Sequence, residues 1–251
     1  MSLTERYELC DRTPRQLGQD AAKGEVAAGL LSVVDYFHLE KTFERLGHFG
    51  IAVRGQARST LLFAMKPIRQ LDGAIIAVTE DTSTTVCLLR LLLEQRYHVT
   101  PAGYERRLHT EKRQQNSTAS VERRQSPEAD ALLLIGDEAL RFKQTNTQYP
   151  FEVDLGQEWW LWQHLPFVYA VWAIRKDVGT QEKKQLEASL ARALGTNLSG
   201  LAAIGQQYST RLGMSAAEIE TYLSSFVYRL GQSEEEGIKQ FKALAHDHRL
   251  L

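Results

Sequence analysis

The chain has 251 residues, 43% hydrophobic and 24% charged, with 30 Lys+Arg against 31 Asp+Glu for a formal charge of -1. This is the make-up of an ordinary globular protein, one large domain or two small ones, and it excludes disordered, fibrous and disulfide-stapled chains. With no basic field, nucleic acid and acidic membrane surfaces are not expected partners.

The two cysteines, Cys10 and Cys87, stand in no Cys-x-x-Cys spacing, so neither a zinc site nor a disulfide framework is expected and a reducing cytoplasm fits. The longest near-continuous apolar run, Pro166 to Ile174, is about half the ~20 residues needed to cross a bilayer. The first residues, Met1 to Arg6, lack the basic region and apolar core of a secretory signal.

Thr13-Pro14 followed by Gly24 predicts a first helix, with a cap residue, proline at its first position and glycine past its end. Gly24 to Ser32 reads as a short strand and Val33 to Leu46 as a second, less regular helix. Gly50 to Val53 and Ser59 to Met65 have the length of strands, joined by the turn-like Arg54-Gly55-Gln56-Ala57-Arg58. Ala74 to Val78 is a buried-type strand feeding Thr79 to Thr85 and the apolar helix Val86 to Tyr97. Thr100 to Pro127, with three basic pairs, reads as a solvated loop or edge strand. Ala129 to Ile135 is another strand, ending where Gly136-Asp137-Glu138 starts a helix. Trp159, Trp160, Trp162 and the run from Pro166 form the aromatic centre, read as core or interface packing. Helices are expected over Thr180–Leu194, Ser199–Leu212, Ser215–Leu230 and Ser233–His246, with capping boxes at Ser215-x-x-Glu218 and Ser233-x-x-Glu236 and with Gly195, Gly213 and Gly231 at their ends. Strands alternating with helices predict an α/β fold with a mostly parallel sheet and a ligand beyond the strand ends.

Phosphate-loop, dinucleotide, zinc-protease and serine-hydrolase motifs are absent. The strongest candidate site is Thr82-Ser83-Thr84-Thr85, four hydroxyls at a helix start behind a buried strand, which together with free amides suit a carboxylate or phosphate; the bland alternative is an ordinary cap. Ser59, flanked by Arg54 and Arg58, is either a second anion corner or part of a surface turn. Gly136 and Asp137 put an acid or base at a strand mouth, although helix starts favour acids for structural reasons alone. His246-Asp247-His248 sits near the C-terminus and is set aside as a metal site.

Several segments together resemble the menaquinone-biosynthesis proteins of the futalosine pathway, chorismate dehydratase in particular. They include Ala52-Val53-Arg54-Gly55, Thr82-Ser83-Thr84-Thr85-Val86, Ile135-Gly136-Asp137-Glu138-Ala139-Leu140, Leu165-Pro166-Phe167-Val168-Tyr169-Ala170-Val171-Trp172 and the tail from Tyr222-Leu223 to Phe241. The resemblance covers nearly the whole chain in order. It implies the two-lobed fold of type II periplasmic binding proteins, with a hinge and an interlobe cleft. Lobe 1 would comprise residues 1–68 plus 172–251 and lobe 2 residues 69–171, with crossings near Lys66-Pro67 and Phe167 to Trp172.

The implied reaction is loss of water from chorismate to give 3-[(1-carboxyvinyl)oxy]benzoate, driven by aromatisation and needing no metal or organic cofactor. The implied partner is a small carboxylate. Its two carboxylates would rest at Ser83, Thr84 and Thr85 on one lobe and at Ser59 on the other, with Ser32, Gly136 and Asp137 lining the same cleft. Two other implied roles are a non-catalytic solute-binding protein for a small carboxylate and a later enzyme of the pathway. Family members carry a Tyr-x-Asn-x-x-Pro-like motif on a first strand ahead of the segment matching Tyr7, and lobe 1 is expected to lack that strand here. Asparagine stands only at Asn116, Asn146 and Asn197, none in that context, so the resemblance leaves the catalytic group unassigned, with Asp137 as a candidate.

Overall fold

A computed structural model describes residues 7–79, 83–107 and 129–251. Helix α1 (Pro14–Lys23) begins and ends as its sequence dictates. Thr13 and Gln16 form a reciprocal capping box, Pro14 occupies the first turn, and Gly24 closes the helix at φ 78°. Strand β1 (Ala28–Ser32) runs directly into α2 (Val33–Leu39), whose N-cap is Ser32.

The expected helix from Val33 to Leu46 is therefore half right. From Phe43 the chain is already in β2 (Phe43–Val53), whose register against β8 shifts between Arg45 and Gly50 and which buries Phe43, Leu46 and Phe49. Strand β3 (Thr60–Ala64) is buried throughout. After β4 (Ile75–Thr79) come α3 (Thr84–Leu91), one π-helical turn (Leu92–Arg96) and β5 (Gly103–Arg107), the edge strand that the polar stretch allowed; its basic pairs beyond residue 107 lie outside the described residues. Strand β6 (Ala131–Ile135) leads into α4 (Gly136–Thr145), and β7 (Phe151–Asp154) into α5 (Leu155–Gln163). The long β8 (Phe167–Arg175) is followed by α6 (Thr180–Ser199), α7 (Leu201–Leu212), α8 (Ala216–Ser224), β9 (Val227–Arg229) and α9 (Gln232–Asp247).

The strands make two sheets, ordered β1-β8-β2-β9 and β5-β4-β6-β3-β7. Among the described residues only β4–β5 and β4–β6 pair in parallel, which corrects the expectation of a mostly parallel sheet. The return strand β8 lies antiparallel between β1 and β2, and β3 lies antiparallel between β6 and β7. Apolar strands covered on both faces look alike in either direction, so composition could not tell the two apart. By sheet membership the chain first changes sheet across Arg54 to Ser59, ahead of β3, and not at Lys66-Pro67; it returns between β7 and β8.

The C-terminal region departs from expectation in three places, each with a local cause. Ser215 and Glu218 form their capping box, but the helix stops at Ser224 and Val227–Arg229 becomes the edge strand β9 beside β2. The cap of α9 is Gly231, whose amide donates to Glu234 at 2.9 Å, so Ser233-x-x-Glu236 is not a box. Gly195 lies inside α6 and not at its end, with nothing near the site of an added Cβ. Gly195→Ala is therefore expected to stabilise the protein by about 0.5–1 kcal/mol, read as a raised urea midpoint, because glycine in a helix interior gives up more entropy on folding.

One apolar cluster joins the sheets. Ala52, Val53, Phe167 and Val171 from the first pack with Leu62, Ile76 and Val78 from the second, with α3, α5 and α9 completing it. Opening the cleft from the back would expose this surface, so the cluster fixes how the sheets face one another.

Fully buried Glu234 anchors the first crossing by accepting from Arg54 Nε at 2.9 Å as well as from Gly231. Burial opposes ionisation, but these hydrogen bonds outweigh it and hold the carboxyl below its ordinary pKa. A lowered folded-state pKa gives stability that is present above the ordinary glutamate range and lost as pH falls through the folded value. Urea melts taken from neutral pH down to about pH 3 should show Glu234→Gln less stable at neutrality and less acid-sensitive than the wild type. Parallel acid limbs would remove Glu234 from that role.

Candidate functional site

A cavity of about 320 Å³ lies between the sheets, within the range of about 300–1,000 Å³ common for small-molecule sites. The first sheet supplies Leu30, Ser32, Ile51, Tyr169 and Ala170. The second supplies Ser59, Thr60, Thr84, Thr85, Ile135 and Gly136. Tyr222, Leu223, Phe226 and Tyr228, at the end of α8 and on β9, close over it. Among the described residues no charged side chain lines the cavity.

Helices α1, α3 and α4 begin at its wall, at Pro14, Thr84 and Gly136, and the cap of α2, Ser32, lines it too, so partial positive helix ends and first amides give a local field favouring an anion. Gly136 makes the turn from β6 into α4 at φ 58°, a backbone state that side chains disfavour, and its amide donates to the Ser59 carbonyl at 2.7 Å.

The four consecutive hydroxyls are divided among different tasks. Thr82 lies outside the described residues. The Ser83 hydroxyl donates to Asp35 Oδ1 at 2.8 Å and faces a separate outer pocket that includes Arg15, His38 and Arg106. The Thr84 hydroxyl accepts the Val34 amide at 3.0 Å, tying α2 to α3, while Thr85 is buried in the cavity wall. Thr84→Val should orphan the buried Val34 amide and lower stability by about 1–3 kcal/mol in a denaturant melt. An unchanged melt would show that the bond contributes nothing.

Ser59 does line the cavity, and accepts from the Tyr222 hydroxyl at 2.7 Å. Its flanking arginines do not line it: Arg54 is paired with Glu234, and Arg58 is exposed at φ 63° in a loop whose amides at Ala57 and Arg58 both donate to Asp154. Asp137 stands outside the wall, ion-paired with Arg211 of α7 at 2.9 Å with both side chains well exposed. That pairing takes its carboxylate away from the position that an acid or base inside the cavity would occupy.

The sequence reading missed Asp35, Tyr169, Tyr222 and Tyr228. Ser32-x-x-Asp35 at a helix start was a readable cap signal, since Ser32 Oγ accepts the Asp35 amide at 3.2 Å. The tyrosines gave no local signal, because β8 and the α8–β9 segment reach the cleft only through the tertiary fold. Burial raises the Tyr222 pKa, with the Ser59 hydrogen bond opposing it, and burial raises that of Tyr169 as well, with Asp154 adding to it and Thr60 opposing. Both hydroxyls therefore stay protonated as donors.

Among the described residues no helix is long and apolar enough to cross a membrane, and no group of three metal-binding side chains occurs. The architecture is that of the two-lobed periplasmic-binding-protein fold. It superposes on the protein AF1704 of Archaeoglobus fulgidus with a TM-score of 0.69 at 20% identity, covering 100% of this chain and 89% of the other. It also matches the Candida albicans CA3427 gene product, described as having the generic periplasmic binding protein fold, with a TM-score of 0.58 at 13% identity, covering 94% and 78%. Residues 1–247 match the menaquinone biosynthesis family, and the chain belongs to it. It is 29% identical to the chorismate dehydratase of Thermus thermophilus over 94% of this chain and 86% of that protein.

Proposed function

We propose that the protein is a chorismate dehydratase-like lyase that removes water from chorismate to give 3-[(1-carboxyvinyl)oxy]benzoate, working in the cytoplasm without a metal or organic cofactor. The observation that carries this reading is the cleft between the sheets, with helix starts, hydroxyl donors and aromatic rings in its wall. A ring dicarboxylate matches that division. One carboxylate rests at Ser59 and the start of α4, the other at Thr85 and the start of α3, with the ring against Tyr169, Phe226 and Tyr228.

Aromatisation supplies the driving force, and the chain contributes positioning and exclusion of water. Incubation with chorismate, followed by ultraviolet absorbance and mass, should reveal the enolpyruvyl benzoate. No product at high protein concentration overturns the reading. A melting-temperature rise with chorismate but no product would make the protein a carboxylate-binding member of the same fold. Ser59→Ala should weaken binding of the dicarboxylate by about 1–3 kcal/mol by titration calorimetry, since it removes the donor at one corner.

A further inference from the structure

The cavity is divided in hydrogen-bond polarity. At the Ser59 corner the Tyr222 hydroxyl donates into Ser59 Oγ, while the Ser59 proton meets only the Ala57 carbonyl, at 3.5 Å. Ser59 therefore has a proton to give to a ligand carboxylate.

The Ser32 corner is the reverse. Ser32 Oγ donates to Asp35 Oδ2 at 2.7 Å, Ser83 Oγ donates to Asp35 Oδ1 at 2.8 Å, and the Asp35 amide donates back to Ser32 Oγ. A serine hydroxyl has one proton and an aspartate carboxylate only accepts. The Ser32 and Ser83 oxygens also stand 3.1 Å apart, a contact in which either could donate, but the carboxylate is the stronger, charged acceptor and draws both protons. Asp35 is in addition packed against α1, where a Cβ added at Gly18 would meet Oδ2 at 2.7 Å, so the carboxylate cannot swing toward that side. Buried Ser32, in the cavity wall, is left with one lone pair beyond the one that takes the Asp35 amide, and no proton to offer.

We propose that Asp35 is a specificity-determining positioning residue. By capturing the Ser32 proton it makes Ser32 an obligate acceptor, and the cleft then selects a ring dicarboxylate that carries a hydroxyl donor at that point. The inference rests on the dehydratase reading and deepens it: the hydroxyl that Ser32 reads is the one lost in the reaction, so substrate and product are told apart at this corner. A site built around a substrate hydroxyl rejects the analogue lacking it, because its buried acceptor is left unpaired.

The test uses two aromatic compounds that cannot lose water, 3-[(1-carboxyvinyl)oxy]benzoate and its 4-hydroxy counterpart, titrated calorimetrically into the full chain. The wild type should bind the hydroxylated compound about tenfold or more tightly. In Asp35→Asn the side-chain amide donates to a serine and frees a serine proton, so the preference should fall to within about twofold while affinity for the compound without the hydroxyl is kept. Ser32→Ala, which leaves Asp35 bonded to Ser83, should lose the same preference and serves if the first variant does not fold. A merely structural role would weaken both compounds together and leave their ratio intact. Equal binding by the wild type, or a preference that survives both substitutions, overturns the proposal. Chorismate turnover is scored separately on the same preparation. Turnover with equal binding overturns the role of Asp35 and leaves the reaction; a preference without turnover overturns the reaction and leaves the role of Asp35.

Discussion

Trp159→Ala should lower the unfolding free energy by about 3–5 kcal/mol, a large part of the roughly 5–15 kcal/mol that holds a typical domain together. Trp159 on α5 is fully buried, and its ring meets Phe167 of β8 at 5.3 Å, Phe241 of α9 at 5.9 Å and Trp162 at 6.0 Å, each edge to face. Phe167 and Phe241 also meet one another at 5.0 Å, so removing the indole leaves a cavity walled by rings that are already fixed by other contacts. Among the described residues the indole nitrogen has no hydrogen-bond partner, and the loss is therefore one of apolar packing. Because this cluster joins an element following the second sheet to the return strand of the first, the urea transition should shift as a whole. A shift under about 1 kcal/mol would show that the sheets do not rely on this contact.

The tryptophan cluster also shows what kind of feature the sequence makes legible. Large apolar side chains crowded near a buried strand read as core or interface packing; Trp159 is core and Trp162 packs against it half-buried, while Trp160 stays at the edge. The boundaries of α1 were equally plain, because Thr13, Pro14, Gln16 and Gly24 act within the helix itself. The start of β2 was not, since the choice between helix and strand after Leu39 is made by pairing with β8, a partner more than a hundred residues away.

The candidate site divides along the same line. Thr84, Thr85 and Gly136 were readable because they sit where strands meet helix starts, and Ser59 because it ends a glycine-containing turn ahead of β3, both local patterns. Ser83 has the same pattern, yet its hydroxyl serves Asp35; which hydroxyl faces the ligand depends on how α2 packs against α3. Tyr169 and Tyr222 join the site from distant segments, and aromatic composition alone says nothing of where they meet.

Gly237→Ala is the second large effect, of opposite sign to that of Gly195→Ala although both glycines lie within helices. A Cβ on Gly237 would fall far inside contact distance of the Pro166 carbonyl oxygen, a backbone atom that cannot rotate away. Pro166 immediately precedes β8, so relieving the clash means moving either α9 or the return crossing between the sheets, together with Phe241 and Ile238 packed behind them. The gain in helix propensity of up to about 1 kcal/mol is overtaken by overpacking of about 1–3 kcal/mol or more. Thermal melts should place Gly237→Ala below the wild type and Gly195→Ala above it. A Gly237→Ala protein as stable as the wild type would mean that α9 can withdraw from the crossing at no penalty. Because the strand that follows carries Tyr169 and Ala170 into the cavity wall, the same substitution should weaken ligand binding even at temperatures where the protein remains folded.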